Sequence, residues 1–433
     1  MKNELYFYLA EPSVFKAGER SEVSVSALDK RYTFDADGSY TVELLPLREN
    51  QMRFDDAAVT VVPEVREGKL CFAYSFPREG EYYLRVFRDG NRLFQISVYA
   101  LEADLYALRP LKGDTHVHSC RSDGKETPEV VAANYRSAGF DFMALTDHHQ
   151  YAPSVEAIEA YKGVSLGMTQ FCGEEVHSPD TYLHIVHFGG KFSVNKLFQD
   201  DREAFMRDVA YIMRTEPIPF TDERSRFVYA SALWCVEKIH RAGGIAIFPH
   251  PHWISNMFNV PDEMSRAFML NDVFDAFELI GGQSAHENNF QTQFYYEMRE
   301  EYYERRGKRM ALPVLGASDS HGTINSGWFD RKYSVVFAKS REKQDILDAI
   351  RAGMCCAVEV YEDSSNYTVH GHYRLSSYAR FLCENYFPRT RVFCEVEGEL
   401  MREYILGCEG ASELLDRRSG AGDAFYRRYF GRK

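Results

Sequence analysis

Between Leu5 and about Val98 apolar and polar positions alternate in short bursts, "SEVSVSAL", "SYTVELLPL", "LCFAYSF" and "YYLRVFRDG", separated by Gly, Asp and Asn. A period of two places every second side chain on one face, and turn signals at roughly ten-residue intervals predict an antiparallel sandwich. The stretch "REGEYYLRVF" looks like the closing hairpin of an immunoglobulin-like module. After "ALRPLKGD" the pattern changes to buried strands that end in polar residues, each followed by a segment with helical spacing. "TPEVVAANYRSAG" starts at Thr127 with Pro128 behind it and stops at Gly139, as a helix should. "FDFMALTDHH", "ALWCVEKIHRAGG", "IAIFPH", "DAFELIGG", "NFQTQFYYEMREEYYERRGK" and "ALPVLGASDSH" continue the alternation of strand and helix, which predicts a parallel sheet or barrel with helices outside. The charges from Glu297 to Lys308 read as the solvated face of one helix. From Tyr361 onward the pattern predicts helices around one short strand, "RTRVFCEV". The expected division is 1–104 (sandwich), 105–360 (barrel) and 361–433 (mostly helical extension).

Composition narrows the function. The chain has 433 residues, 45% of them hydrophobic, enough for more than one core. It contains no run of about 18 uncharged apolar residues and no signal-like N-terminus, so neither membrane insertion nor secretion is expected. Nine scattered cysteines fit reduced thiols in a cytoplasm, and Cys355 with Cys356 reads as a buried apolar couple. A net charge of -13 argues against a nucleic-acid partner, since phosphate backbones need clustered Lys and Arg.

Candidate chemistry lies at the strand ends, which in parallel α/β architectures gather residues distant in sequence at one face. They present Asp114, His116 and His118, then Asp123 in the next loop, Asp147 with His148, Glu175, His184 and His187, His250, and Asp319 with His321. Twelve of the fourteen histidines lie between His116 and His321. Imidazole and carboxylate without thiolate suit Zn, Mn or Fe. The His-x-His spacing of His116 and His118 points both rings to one side of an extended segment. The remaining polar residues have plainer readings. His149, His177, His252 and His286 are expected to be hydrogen-bonded pocket or loop residues, and His240 a packing residue on its helix. Asp114 and Asp147 are expected to orient an imidazole through its other nitrogen. Glu278 ends another strand and either reaches the site or forms a structural salt link. The pairs Gly189-Gly190, Gly243-Gly244 and Gly281-Gly282 lack the context of a phosphate cradle and read as tight turns.

In this order and spacing, "DTHVHSCRSDG", "ALTDHH", "GEEV", "LHIVHFGG", "HRAGGIAIFPHP" and "LGASDSHG" resemble the PHP family, named for polymerase and histidinol phosphatase domains, over about Leu111 to Val358. The stretch "YSVVFAKSREKQDILDAIRAGMCCAV" resembles the branch related to carbaryl hydrolase. The resemblance implies a distorted (β/α)7 TIM-like barrel with two or three divalent ions. The first ion would take His116, His118, Glu175 and Asp319. The second would share Glu175 and add His184 and His250, with His184 preferred over His187. The third would take Asp123, His148 and His321, with Asp123 standing where many members have histidine. Glu175 is preferred to Glu174 as the ligand.

The expected activity is hydrolysis of a small-molecule ester, above all a phosphate ester, by a water that bridging ions acidify to a pKa of about 7. Glu175, His250, His321 and His252 are the candidate catalytic groups, His252 as a partner of the leaving oxygen. Arg121 and Arg241 are the nearest candidates to meet a phosphate. The alternative keeps the ions and changes the bond to a carboxylic or carbamic ester. A third possibility is a binding module carrying a disused barrel.

Overall fold

Alternation up to Leu101 becomes, among the described residues, nine strands: β1 (Tyr8–Glu11), β2 (Val14–Lys16), β3 (Arg20–Ala27), β4 (Tyr40–Pro46), β5 (Val59–Val61), β6 (Glu64–Arg66), β7 (Lys69–Ser75), β8 (Gly80–Arg88) and β9 (Asn91–Leu101). The computed structural model describes residues 3–49, 57–324, 326–361 and 366–432. The strands form one sheet in the order β1-β3-β7-β6 and another in the order β2-β9-β8-β4-β5. Val23, Val25, Leu70 and Phe72 from the first sheet meet Val42, Leu44, Leu84, Val86 and Val98 from the second in one apolar core. Pairing is antiparallel throughout except between β2 and β9.

The chain divides into two compact units, the first made of 1–108, 376–393 and 420–433 and the second of 109–375 and 394–419. Residues 361–433, which the sequence sets apart, are thus shared between both. Four helices follow Tyr373. "RTRVFCEV" is not a strand: it lies inside the helix Phe387–Ile405. Buried positions such as Cys394, Glu397, Gly398 and Met401 recur at helical spacing, and this longer stripe overrides the local β-branched content.

In the second unit two mixed sheets carry the site. One runs β12-β11-β10-β18-β19-β20 and the other β13-β14-β15-β16-β17, with β10 (Arg109–Asp114), β11 (Phe142–Ala144), β12 (Thr169–Phe171), β13 (Gly173–His177), β14 (His184–Phe188), β15 (Ile245–Phe248), β16 (Ala276–Ile280), β17 (Val314–Gly316), β18 (Lys332–Ala338), β19 (Cys355–Val360) and β20 (Tyr367–His370). The strand-helix-strand repeats predict parallel pairing, and β10-β11-β12 and β15-β16-β17 are parallel. The exceptions are β14, antiparallel to both neighbours, β18, antiparallel to β10 and β19, and β20, antiparallel to β19. Only six residues separate β13 from β14, too few for a crossover helix, so the chain turns straight back.

Side-chain alternation divides this unit into layers. Ile245 and Ile247 of β15 join Leu111, Phe142, Phe171, Val186, Ala276, Leu315 and Val336 in a core to which both sheets contribute. Ala246 and Phe248, on the other face of β15, pack instead with Val228, Trp234 and Ile239 of the helix Glu223–Ala242 and with Met264 and Phe268 of Asp262–Leu270. The helix Ala285–Arg306 begins with a capping box between Ser284 and Glu287. Its charged half is mostly exposed, with Met298 and Tyr302 buried and Arg299 and Glu301 half-buried, so most of it is the solvated face the sequence predicts.

One buried ion pair holds residues 394–419 in this unit. Arg136 Nη2 donates to Glu397 Oε2 at 2.9 Å, Arg136 Nη1 donates to the Phe140 carbonyl at 3.0 Å, and the Gly167 amide donates to the other Glu397 oxygen. Removing one partner leaves an uncompensated buried charge, so Glu397→Ala is expected to cost about 3–5 kcal/mol in denaturant unfolding. A loss below about 1 kcal/mol would show that water reaches Arg136 readily.

Candidate metal centre

Each strand places its polar residue by the same alternation. On β13, Glu175 shares a face with Gly173 and His177, and the antiparallel register sets Glu175 opposite Val186 and His177 opposite His184. Glu278 has the parity of Ala276 on β16 and therefore points inward like it. Beyond the strand ends the backbone turns sharply: His250 and Asp319 have φ of 25° and 46°, and His149 has φ of 61°. Such conformations cost on the order of 1–3 kcal/mol each in a non-glycine residue and cluster at functional sites.

Nine residues singled out from the sequence come together. Ligand atoms of His116, His118 and Glu175 lie within 4.8 Å of one another, as do those of His116, His250 and Asp319, those of Glu175, His184 and His250, and those of His118, Asp123, His148 and His321. Glu175 is at the centre. Its Oε2 is 3.6 Å from Nε2 of both His116 and His118 and 2.5 Å from His148 Nδ1, and its Oε1 is 2.8 Å from His184 Nδ1 and 3.4 Å from His250 Nε2. Asp319 Oδ1 is 2.9 Å from His118 Nε2 and 3.3 Å from His116 Nε2. His321 Nε2 is 3.2 Å from Asp123 Oδ1.

Most of these atoms face one another without hydrogen bonds. Both oxygens of Glu175, Nε2 of His116 and His118, Nδ1 of His184 and Oδ1 of Asp319 are buried and have no hydrogen-bond partner. Leaving polar atoms orphaned in the interior is costly, and a divalent cation among them removes that cost. The donor set of nitrogen and carboxylate oxygen fits Zn, Mn or Fe. The tautomers agree. His116 Nδ1 lies 2.9 Å from Glu278 Oε2 and His321 Nδ1 lies 2.8 Å from the Asp319 carbonyl, so both Nδ1 atoms donate and both Nε2 lone pairs face the cluster.

Charge follows the same geometry. Burial opposes a charged His116, but Asp319, Glu278 and Glu175 outweigh it and hold its pKa well above the ordinary value. Burial likewise opposes the charged form of Asp319, yet His116 and His118 hold its carboxyl well below the usual range. Burial lowers His177 and His184, with neighbouring imidazoles adding to the effect, so both rings keep a lone pair at neutral pH.

Other candidates are placed elsewhere. Asp114 accepts from Tyr135, the Ser318 amide and the His116 backbone amide, and Asp147 accepts from Ser119 and Ser122. Both therefore fix loops rather than imidazoles, because their short side chains meet backbone amides first. His252, the candidate for the leaving oxygen, packs on Phe258 and Phe294, with Nε2 3.3 Å from Asp262, and joins none of the clusters. His187 is held by Glu174 at 3.2 Å and pressed by Gly190, where a Cβ would come within 1.9 Å of its ring. Gly281 and Gly282 are not turn glycines either. A Cβ at Gly282 would meet Asp319 Cβ at 2.3 Å, and one at Gly281 would meet Glu278 Oε1 at 2.6 Å. His177, expected from sequence to be a hydrogen-bonded pocket or loop residue, has its ligand atom grouped with those of His148 and Glu175. The short β13-β14 connection was the signal that could have found it.

No protein-family model matches the chain. A curated relative, the DNA polymerase/3'-5' exonuclease PolX of Bacillus subtilis, is 30% identical over 94 residues, which are 20% of this chain and 16% of that protein. The match thus spans about a sixth of the relative's length. Similarity to solved structures is partial. A two-domain protein containing a predicted PHP-like metal-dependent phosphoesterase, from Bacteroides vulgatus, is similar over 64% of this chain and 71% of its own, with 19% identity and a TM-score of 0.42. An amidohydrolase from Chromobacterium violaceum is similar over 49% of this chain and 89% of its own, with 17% identity and a TM-score of 0.31. At these scores the likenesses carry no weight for the chemistry, which rests on the site itself.

Proposed function

We propose that the chain is a metal-dependent hydrolase that splits a small phosphate ester with water. The observation that carries this is the set of buried, partnerless nitrogen and oxygen atoms converging on Glu175. His116, His118, Glu175 and Asp319 would hold one divalent ion, Glu175, His184 and His250 a second, and Asp123, His148 and His321 a third. When bound, such ions supply a Lewis acid for the ester oxygen and lower the pKa of water. The protein's part is to hold this arrangement: Glu278 fixes the His116 ring, the Asp319 carbonyl fixes His321, and Gly282 lets the Asp319 backbone approach. The two-sheet core around Leu111, Ile247 and Leu315 supports a distorted (β/α)7 barrel over residues 105–360, and the paired N-terminal sheets support an immunoglobulin-like sandwich over 1–104.

The alternative, a carboxylic or carbamic ester of the kind split by carbaryl hydrolase, has its own support. Arg121 is engaged by Glu156 and Arg241 by Glu237, so neither arginine offered for phosphate is turned to the cluster. Trp253, 41% exposed, stands instead 6.1 Å from the His250 ring as an apolar wall. Zn-, Mn- or Fe-loaded protein assayed against p-nitrophenyl phosphate, bis-p-nitrophenyl phosphate and naphthyl acetate separates the readings. Turnover of a phosphate ester that chelation abolishes is expected; turnover of naphthyl acetate alone would favour the alternative. Protein that binds no metal and hydrolyses none of the three would point to a binding module.

A further inference from the structure

The cluster contains one imidazole more than the nine residues need. Strand register sets His177 directly across from His184, and their ring centroids are 3.9 Å apart. His177 Nε2 is 2.9 Å from His148 Nδ1 and 3.5 Å from Glu175 Oε2, and His148 Nδ1 is 2.5 Å from the same oxygen. Ligand atoms bound to one ion at about 2.0–2.2 Å lie about 3 Å from each other, and a triangle with these edges leaves a point about 2 Å from all three corners. Glu175 is wholly buried and accepts no hydrogen bond through either oxygen, so its Oε2 remains open to an ion on the side of His148 and His177.

His148 faces two ways. Its Nδ1 points to Glu175 and His177, while its Nε2 lies 3.6 Å from Asp123 Oδ2, on the side of His118 and His321. A neutral imidazole has one lone pair, so it ligates on one side while its other nitrogen carries the proton. We propose that His177, His148 and Glu175 form a divalent-cation position that alternates, through His148, with the position made by Asp123, His148 and His321. This rests on the hydrolase reading above and adds a ligand to it. It gives the cluster two places for its outermost ion, chosen by which nitrogen of His148 is protonated.

Anomalous scattering from crystals of the full chain loaded with Zn or Mn tests it, using the wild type, Asp123→Asn, and His177→Gln. Asp123→Asn weakens the competing position, so an anomalous peak about 2.1 Å from His177 Nε2 is expected in that variant, with partial occupancy there in the wild type. His177→Gln should lose that peak and keep those at His116 and His184. Ions bound around Glu175 but none near His177 Nε2, in both the wild type and Asp123→Asn, would overturn the proposal and leave the hydrolase reading standing. Absence of any ion at Glu175 in all three proteins would overturn both.

Discussion

Glu175→Gln is expected to lower ester hydrolysis by about 10³-fold or more and to release bound metal, the largest loss of any single substitution in the cluster. Its two oxygens face six imidazoles at 2.5–3.6 Å, so the change removes one negative charge from every candidate ion position it touches. Loss of a preorganised charge at a reacting centre is worth on the order of 10²–10³ even when a single donor is involved. Glu278→Gln provides the internal scale. It acts only through the Nδ1 side of His116, and such outer partners cost about 10–100-fold in metal affinity. Metal content and kcat/KM measured together on both variants check the order. A Glu175→Gln protein with normal metal content and turnover would show that the ester is split elsewhere.

Chelation should lower the melting temperature by about 10 °C, and the drop should grow as pH rises. A single ion held at about 1,000 times its dissociation constant adds about 4 kcal/mol to the folded state. In a unit of this size each kcal/mol is worth about 2–4 °C. The pH dependence follows from His116. Asp319, Glu278 and Glu175 raise its pKa in the metal-free fold, against the effect of burial. The stability this contributes to the metal-free protein is therefore complete below the unfolded value near 6.5 and is lost as pH rises through the folded one. Ions compete with that proton, so the difference between loaded and chelated protein is smallest near pH 6 and widens toward pH 9. Differential scanning calorimetry at several pH values, with and without chelator, measures it; coincident transitions would mean that the buried carboxylates find their counter-charge within the protein.

Of the site, most was legible because strand ends in a repeated strand-helix unit converge regardless of sequence distance. His116, His118, His148, Glu175, His184, His250, Asp319 and His321 are ionisable residues at the ends of short apolar runs, with Asp123 in the loop after the first, and that alone predicts a common location. His177 was not legible in the same way. Its membership depends on β14 running antiparallel to β13, and a chain that reads as strand-helix-strand throughout gives no notice of that reversal until the six-residue connection is taken at face value. His252 is placed apart by local backbone: it follows His250 by two residues, but the positive φ at His250 breaks the alternation that would have kept both rings on one side.

What the sequence determined by itself was periodicity: which stretches alternate, which carry a helical stripe, and therefore which polar residues stand at the ends of buried strands. Tertiary structure alone decided direction and neighbourhood. It set Asp114 and Asp147 against backbone amides, gave Gly281 and Gly282 to close approach instead of turning, and folded "RTRVFCEV" into a helix. The physical reason is range. Period-two and period-3.6 patterns are local and survive in one dimension, whereas strand sense, cross-strand register and the last ångström between a carboxylate and an imidazole depend on which segments the folded chain sets side by side.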